Sequence, residues 1–156
     1  MRPAELIRYS VLAAQREGNR WLSRALRELE LTPSASEVLR ILGDDGPLTL
    51  SGVGELLVCE SGTNPSRLVD RLVDAGLVAR VPAPHDRRQV QLSLTAEGRA
   101  VEAQVREVEA TLYSRIDAAL EGVDAGSVIE LLRRLSDGQP SGHALANRVG
   151  VERSIP

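Results

Sequence analysis

The chain has 156 residues, 42% of them apolar, with no Phe, one Trp and two Tyr; this length suits one domain, or one domain with an extension, around a core of Leu, Val, Ala and Ile. A net charge of −3 excludes a uniformly basic nucleic-acid binder but not a locally basic face. The single Cys excludes an intrachain disulfide, and with no signal-peptide core and no long apolar run the chain is expected in the cytoplasm with no membrane partner.

All 19 basic residues are Arg, whose planar fork suits phosphates and base edges. Between Ser61 and Ala100, six Arg face four acids, so the acidic surplus lies elsewhere.

In chain order, residues 4–30 carry Leu6, Tyr9, Ala13, Ala14, Trp21, Leu22, Ala25 and Leu29 at helical spacing, with Gly18-Asn19 as a potential bend. Thr32-Pro33 reads as an N-cap followed by Pro at N1, opening a short helix with Ala35, Val38, Leu39 and Leu42 inward. Gly43-Asp44-Asp45-Gly46-Pro47 stops it, and Leu48-Thr49-Leu50 reads as a very short strand. Ser51 to Leu57 is a brief helix and Cys59-Glu60-Ser61-Gly62 a turn. A further helix buries Leu68, Val69, Leu72 and Val73 and ends at Gly76 as C′.

Leu77 to Val81 and Val90 to Leu94 pair as a hairpin. Thr95 caps a long helix over about 96–121, with an apolar seam from Val101 through Val105, Val108, Leu112 and Ile116 to Leu120. Val128, Leu131, Leu132 and Leu135 mark a last helix, and residues 138–156 read as a flexible tail. A helix–turn–helix followed by a two-stranded hairpin is a winged helix, mainly α with a small β wing. The long flanking helices have no partner within so small a module, so their seams call for a second copy of the chain.

No catalytic constellation stands out, and the chain is not read as an enzyme. His85 and His143 stand in no metal-ligand spacing, and neither a phosphate loop nor a nucleophile elbow is present. No metal or cofactor is expected.

The opening Ser61-Gly62-Thr63-Asn64-Pro65-Ser66-Arg67 is small and polar, suited to approach a major-groove floor. Arg67 and Arg71 lie one turn apart, each able to reach a guanine or a backbone oxygen, unless Asp70 and Asp74 simply pair with them. The hairpin loop carries His85, Asp86, Arg87 and Arg88. An arginine at such a tip can enter a minor groove, and Asp86 can shape the loop beforehand by bonding its backbone, Arg80 or Arg88.

The stretch from Ser66 to Gly98 resembles the MarR family of winged helix–turn–helix regulators. The shared features are Gly76-Leu77-Val78, Arg80, the wing Asp86-Arg87-Arg88, the alternation Val90 to Leu94, and Leu94-Thr95-Ala96-Glu97-Gly98. The resemblance implies a homodimer with two winged-helix lobes on a pseudo-palindromic double-stranded DNA operator. It implies residues 1–30 and 98–137 as dimerisation helices and 31–97 as the DNA-binding region. It further implies that Ser61 to Arg67 open the recognition helix, that Arg88 supported by Asp86 enters the minor groove, and that a small aromatic or phenolic effector releases a repressor. That effector would sit between the dimer region and the DNA-binding lobe, where Tyr9, Trp21 and Tyr113, with Arg20 or Arg24 for an anionic group, are candidates.

Pro65 departs from the family, which usually has an apolar residue there. With Ser61 as N-cap, Pro65 disturbs the first turn; alternatively the helix begins at Asn64 with Pro65 at N1, and Ser61 to Thr63 become loop contacts. Two other readings remain: a winged-helix protein-interaction module, and a redox-responsive regulator acting through Cys59, otherwise an inert thiol.

Overall fold

The computed structural model describes residues 1–59, 64–83 and 88–152, with side chains described through residue 150. Helix α1 runs from Pro3 to Ala25 without a break at Gly18, and a short 3-10 turn over Arg27–Leu29 follows. Then come α2 (Pro33–Asp45), α3 (Leu50–Leu56), α4 (Pro65–Asp74), β1 (Val78–Pro82), β2 (Val90–Leu94), α5 (Ala96–Ala119), α6 (Ala125–Ser136) and α7 (Pro140–Glu152).

Three helix starts use the same device. Thr32, Thr49 and Thr95 each accept a hydrogen bond through the side chain from the backbone N–H three residues on, at 3.2, 3.1 and 2.9 Å. This satisfies one of the donors that a helix start leaves orphaned. Pro33 at N1 of α2 adds its preset φ where no N–H is needed.

Helix α4 ends in a Schellman motif. Gly76 adopts φ +74°, its N–H bonds the Val73 carbonyl at 2.9 Å, and the Leu77 N–H bonds Leu72 at 3.0 Å. Leu77 is then buried and leads into β1. The start of α5 is pressed against this turn. Thr95 Oγ1 donates to the Gly76 carbonyl at 2.7 Å, and a Cβ on Gly98 would stand 1.9 Å from the Leu77 carbonyl oxygen.

The hairpin is antiparallel, with Val78 opposite Leu94, Arg80 opposite Leu92 and Pro82 opposite Val90. Leu92 and Leu94 face inward while Val90 is exposed. The Leu48 to Leu50 strand reduces to a single bridge: Leu48 exchanges two backbone bonds with Leu92, and Leu50 already belongs to α3.

One core unites the winged-helix lobe. Val38, Leu39 and Ile41 of α2, Val53 of α3, Val69 of α4, Val78 of β1 and Val105 of α5 are almost wholly buried, with Leu26 closing it from the end of α1. Each such side chain contributes about 1.5–3 kcal/mol. The N-terminal half of α5 is thus part of the lobe, whereas its outer half exposes Tyr113 and Ile116. Neither α1 nor α6 buries a residue, and Leu6, Ile7, Leu12, Leu131, Leu132 and Leu135 stand exposed.

The flexible tail expected over 138–156 is corrected in part. Residues 140–152 form α7, with Ala144 buried and the helix packed on α3 and α6. Its weak amphipathic pattern hid it, because the docking uses small residues: a Cβ on Gly142 would stand 2.1 Å from the Ser136 carbonyl oxygen.

Candidate nucleic-acid interface and interlobe cavity

The helix that follows the helix–turn–helix turn begins at the second of the two starts considered. Asn64 is the N-cap, its Oδ1 accepting from the Ser66 N–H at 3.0 Å, and Pro65 occupies N1. Pro65 therefore opens the helix instead of disturbing it. Leu68, Val69 and Leu72 are buried, whereas Arg67 and Arg71 point to solvent one turn apart on the opposite side. Asp70 pairs with Arg80 of β1, not with Arg67, so an ion pair ties this helix to the hairpin. Both partners are about half exposed, and the bond is worth at most about 1 kcal/mol.

The hairpin closes past its last ladder pair through the Ala83 N–H donating to the Gln89 carbonyl at 2.9 Å, and Arg88 is exposed just beyond. Arg67, Arg71 and Arg88 thus stand on neighbouring exposed elements with Asn64, Pro65 and Ser66. Ser61, Gly62, Thr63, His85, Asp86 and Arg87 lie outside the described residues.

A cavity of about 550 Å³ opens between α1, α2, α5 and α7. Gln15, Arg40, Cys59, Glu109, Tyr113 and Arg148 are among its lining residues. Of the five residues suggested for an effector, Tyr113 lines it. Its hydroxyl donates to Glu109 Oε2 at 3.1 Å, and burial, reinforced by the Glu109 carboxylate, pushes the phenol pKa up. The other four serve the surface of α1 and its neighbours. Trp21 stacks beneath the Arg115 guanidinium at 5.5 Å, Tyr9 lies beneath Arg8, Arg20 pairs with Glu17 at 2.9 Å, and Arg24 is exposed in the last turn of α1.

Five charged residues that sequence reasoning did not single out lock α2 to α5. Arg40 reaches Glu102 at 2.6 Å, Glu109 at 3.0 Å and Asp44 at 3.2 Å, and Arg106 reaches Asp44 and Glu102, each at 2.6 Å. Burial alone would lower the Arg40 pKa, but the Glu102, Asp44 and Glu109 carboxylates outweigh it and hold the guanidinium above its ordinary value. A signal existed in part: Glu102, Arg106 and Glu109 flank the apolar seam of α5 at helical spacing. Glu37 was also missed. Its two carboxylate oxygens accept from the Val58 and Cys59 N–H groups, both at 2.8 Å, and it pairs with Arg148 at 2.9 Å. Glu37 and Arg148 are 111 residues apart, and nothing local in the sequence joins them.

A short helix, a turn, a second helix with a polar, arginine-bearing outer face, and a hairpin beside it define a winged helix–turn–helix protein. The model for the MarR family matches residues 22–89. The HTH-type transcriptional regulator SarZ of Staphylococcus aureus (strain USA300) is 28% identical over 108 residues, 69% of this chain and 71% of SarZ. Two solved structures share the fold. The transcriptional repressor CouR, bound to a 23-mer DNA duplex, superposes with TM-score 0.66 at 27% identity, covering 85% of this chain and 92% of CouR. A mutant MarR from E. coli, complexed with operator DNA, superposes with TM-score 0.64 at 25% identity, covering 82% of this chain and 89% of that one. Over its winged-helix region the chain is similar to transcriptional regulators of the MarR family.

No helix among the described residues is long and apolar enough to cross a membrane, and those residues form no group of three or more His, Cys, Asp or Glu able to hold a metal ion.

Proposed function

We propose that this chain is a dimeric, sequence-specific DNA-binding repressor, working in the cytoplasm without enzymatic activity and released from its operator by a small molecule. One observation carries the DNA reading: Arg67 and Arg71 project from the solvent side of a helix whose other side is buried, beside a hairpin that presents Arg88. A helix of this kind enters the major groove with its first turn toward the base edges, and the hairpin reaches the adjacent minor groove. Asn64 to Arg67 read or approach the bases, Arg71 lies farther along toward phosphate, and Arg88 inserts beside them. Residues 61–63 and 85–87 flank these contacts in the chain and belong to the same proposed interface.

The family relatives support this assignment: CouR and the mutant MarR are each solved with DNA. The release step rests on the cavity of about 550 Å³ between the dimer-side helices and the DNA-binding lobe, a volume that suits a small aromatic or phenolic molecule. Tyr113 is the proposed aromatic contact there.

The test is fluorescence-anisotropy titration of the DNA upstream of the protein's own gene. We expect Arg88→Ala to weaken binding roughly tenfold or more while dimer and fold persist. Arg67→Ala should relax sequence preference if Arg67 reads a base and weaken all duplexes alike if it holds phosphate. Affinity should also fall steeply with salt. Unchanged operator affinity in both variants removes the mechanism.

A further inference from the structure

Helix α7 is held to the helix–turn–helix at two points, one in the last turn of α3 and one at Glu37 of α2, whose carboxylate binds the chain just after α3. Asn147 Nδ2 donates to the Glu55 carbonyl at 3.1 Å, satisfying an acceptor in the last turn of α3. Arg148 pairs with Glu37 at 2.9 Å, and Glu37 in turn accepts from the Val58 and Cys59 N–H groups, just after α3. The Glu37 side chain is 11% exposed and that of Arg148 32%. The carboxylate therefore depends on these three donors more than on water. The rest of the α7 contact is thin: Ala144 is its one buried residue among those described.

A helix with little apolar anchorage whose polar side chains converge on one turn is suited to set the position of that turn. We propose that α7 is a C-terminal strap and that Arg148, acting through Glu37, is a positioning residue for the recognition helix. The inference rests on the reading of the chain as a DNA-binding regulator. With Arg148 in place, Glu37 holds two consecutive amides and fixes where the chain leaves α3. Without it, the carboxylate turns to water and the entry to α4 loosens. Arg148, Glu37 and Cys59 also line the interlobe cavity, so a molecule lodged there meets this contact directly.

Arg148→Ala on the full chain tests the strap, with Arg148→Lys as the charge-keeping control. Since the dimer carries two straps, Arg148→Ala should weaken operator binding roughly tenfold, and Arg148→Lys should recover most of that loss. Amide hydrogen exchange of the free protein should be faster at Val58 and Cys59 in Arg148→Ala, while the middle of α5 exchanges as before. Operator affinity within about twofold of the wild type overturns the proposal. So does a loss of affinity with unchanged exchange at Val58 and Cys59, which would make Arg148 a direct phosphate contact. If the wild type binds no duplex at all, the regulator reading falls separately, and the exchange measurement still decides whether the strap holds the turn.

Discussion

Gly98 shows how a single residue fixes the relation between two elements. The Leu77 carbonyl lies where a side chain at position 98 would begin, so α5 starts as close to the end of α4 as backbone allows. Gly98→Ala forces the two apart and should cost about 3 kcal/mol, read as a lower midpoint in urea. An unchanged midpoint would mean that the approach is not needed. The spacing Leu94-Thr95-Ala96-Glu97-Gly98 was visible in the sequence, but its cause was not. A motif records that a small residue belongs there, whereas the clash is with the carbonyl of Leu77, well upstream in the chain. Charged residues were harder to place. Arg40 lies in the sequence as one arginine among many with Asp44 one helical turn on, and only the fold adds the Glu102 and Glu109 carboxylates of α5.

At the scale of elements, caps and periodicity carried most of the information. Thr32-Pro33, Thr95 and Gly76 each perform the role their chemistry suggests, because capping is local and needs no tertiary knowledge. The start of α4 was open between two positions, and Asn64 with Pro65 resolves it: a proline at N1 loses no helix bond. Asn64→Ala should therefore lower stability by about 1 kcal/mol, a shift of about 2–4 °C in Tm by calorimetry. A Tm unaltered by this change would place the functional start of the helix elsewhere. Helix α7 escaped notice for the opposite reason. Its docking depends on Gly142, Ala144 and two polar contacts, to Glu55 and Glu37, that lie 92 and 111 positions away, and none of these writes an apolar stripe into the sequence.

For the whole molecule, the unburied faces matter most. Ile7, Val11 and Leu12 of α1 and Leu131 and Leu135 of α6 border an apolar groove of about 470 Å³. An exposed apolar surface of this kind is costly in a lone subunit, and in the proposed dimer a second copy presenting the same helices would bury it on both sides of a two-fold axis. The double variant Leu131→Glu/Leu135→Glu puts charge into that contact. It should halve the mass seen by light scattering and, by separating the two half-site contacts, weaken operator binding about 100-fold or more. A species of full dimer mass at micromolar concentration would move the interface to another face.

Helix α5 has a mechanical consequence of its own. Its 24 residues form an unbroken rod about 36 Å long. One end is cemented into the DNA-binding lobe by Val105 and the Arg40–Glu102 pair, and the other runs out toward the unburied apolar surfaces. Tilting such a rod by about ten degrees about one end sweeps the other through about 6 Å, roughly a sixth of the roughly 34 Å that separates successive turns of duplex on one face. In the proposed dimer, the gap between the two reading helices would thereby be geared to small rotations at the subunit seam, and a modest wedge between the halves would throw them out of phase with the double helix.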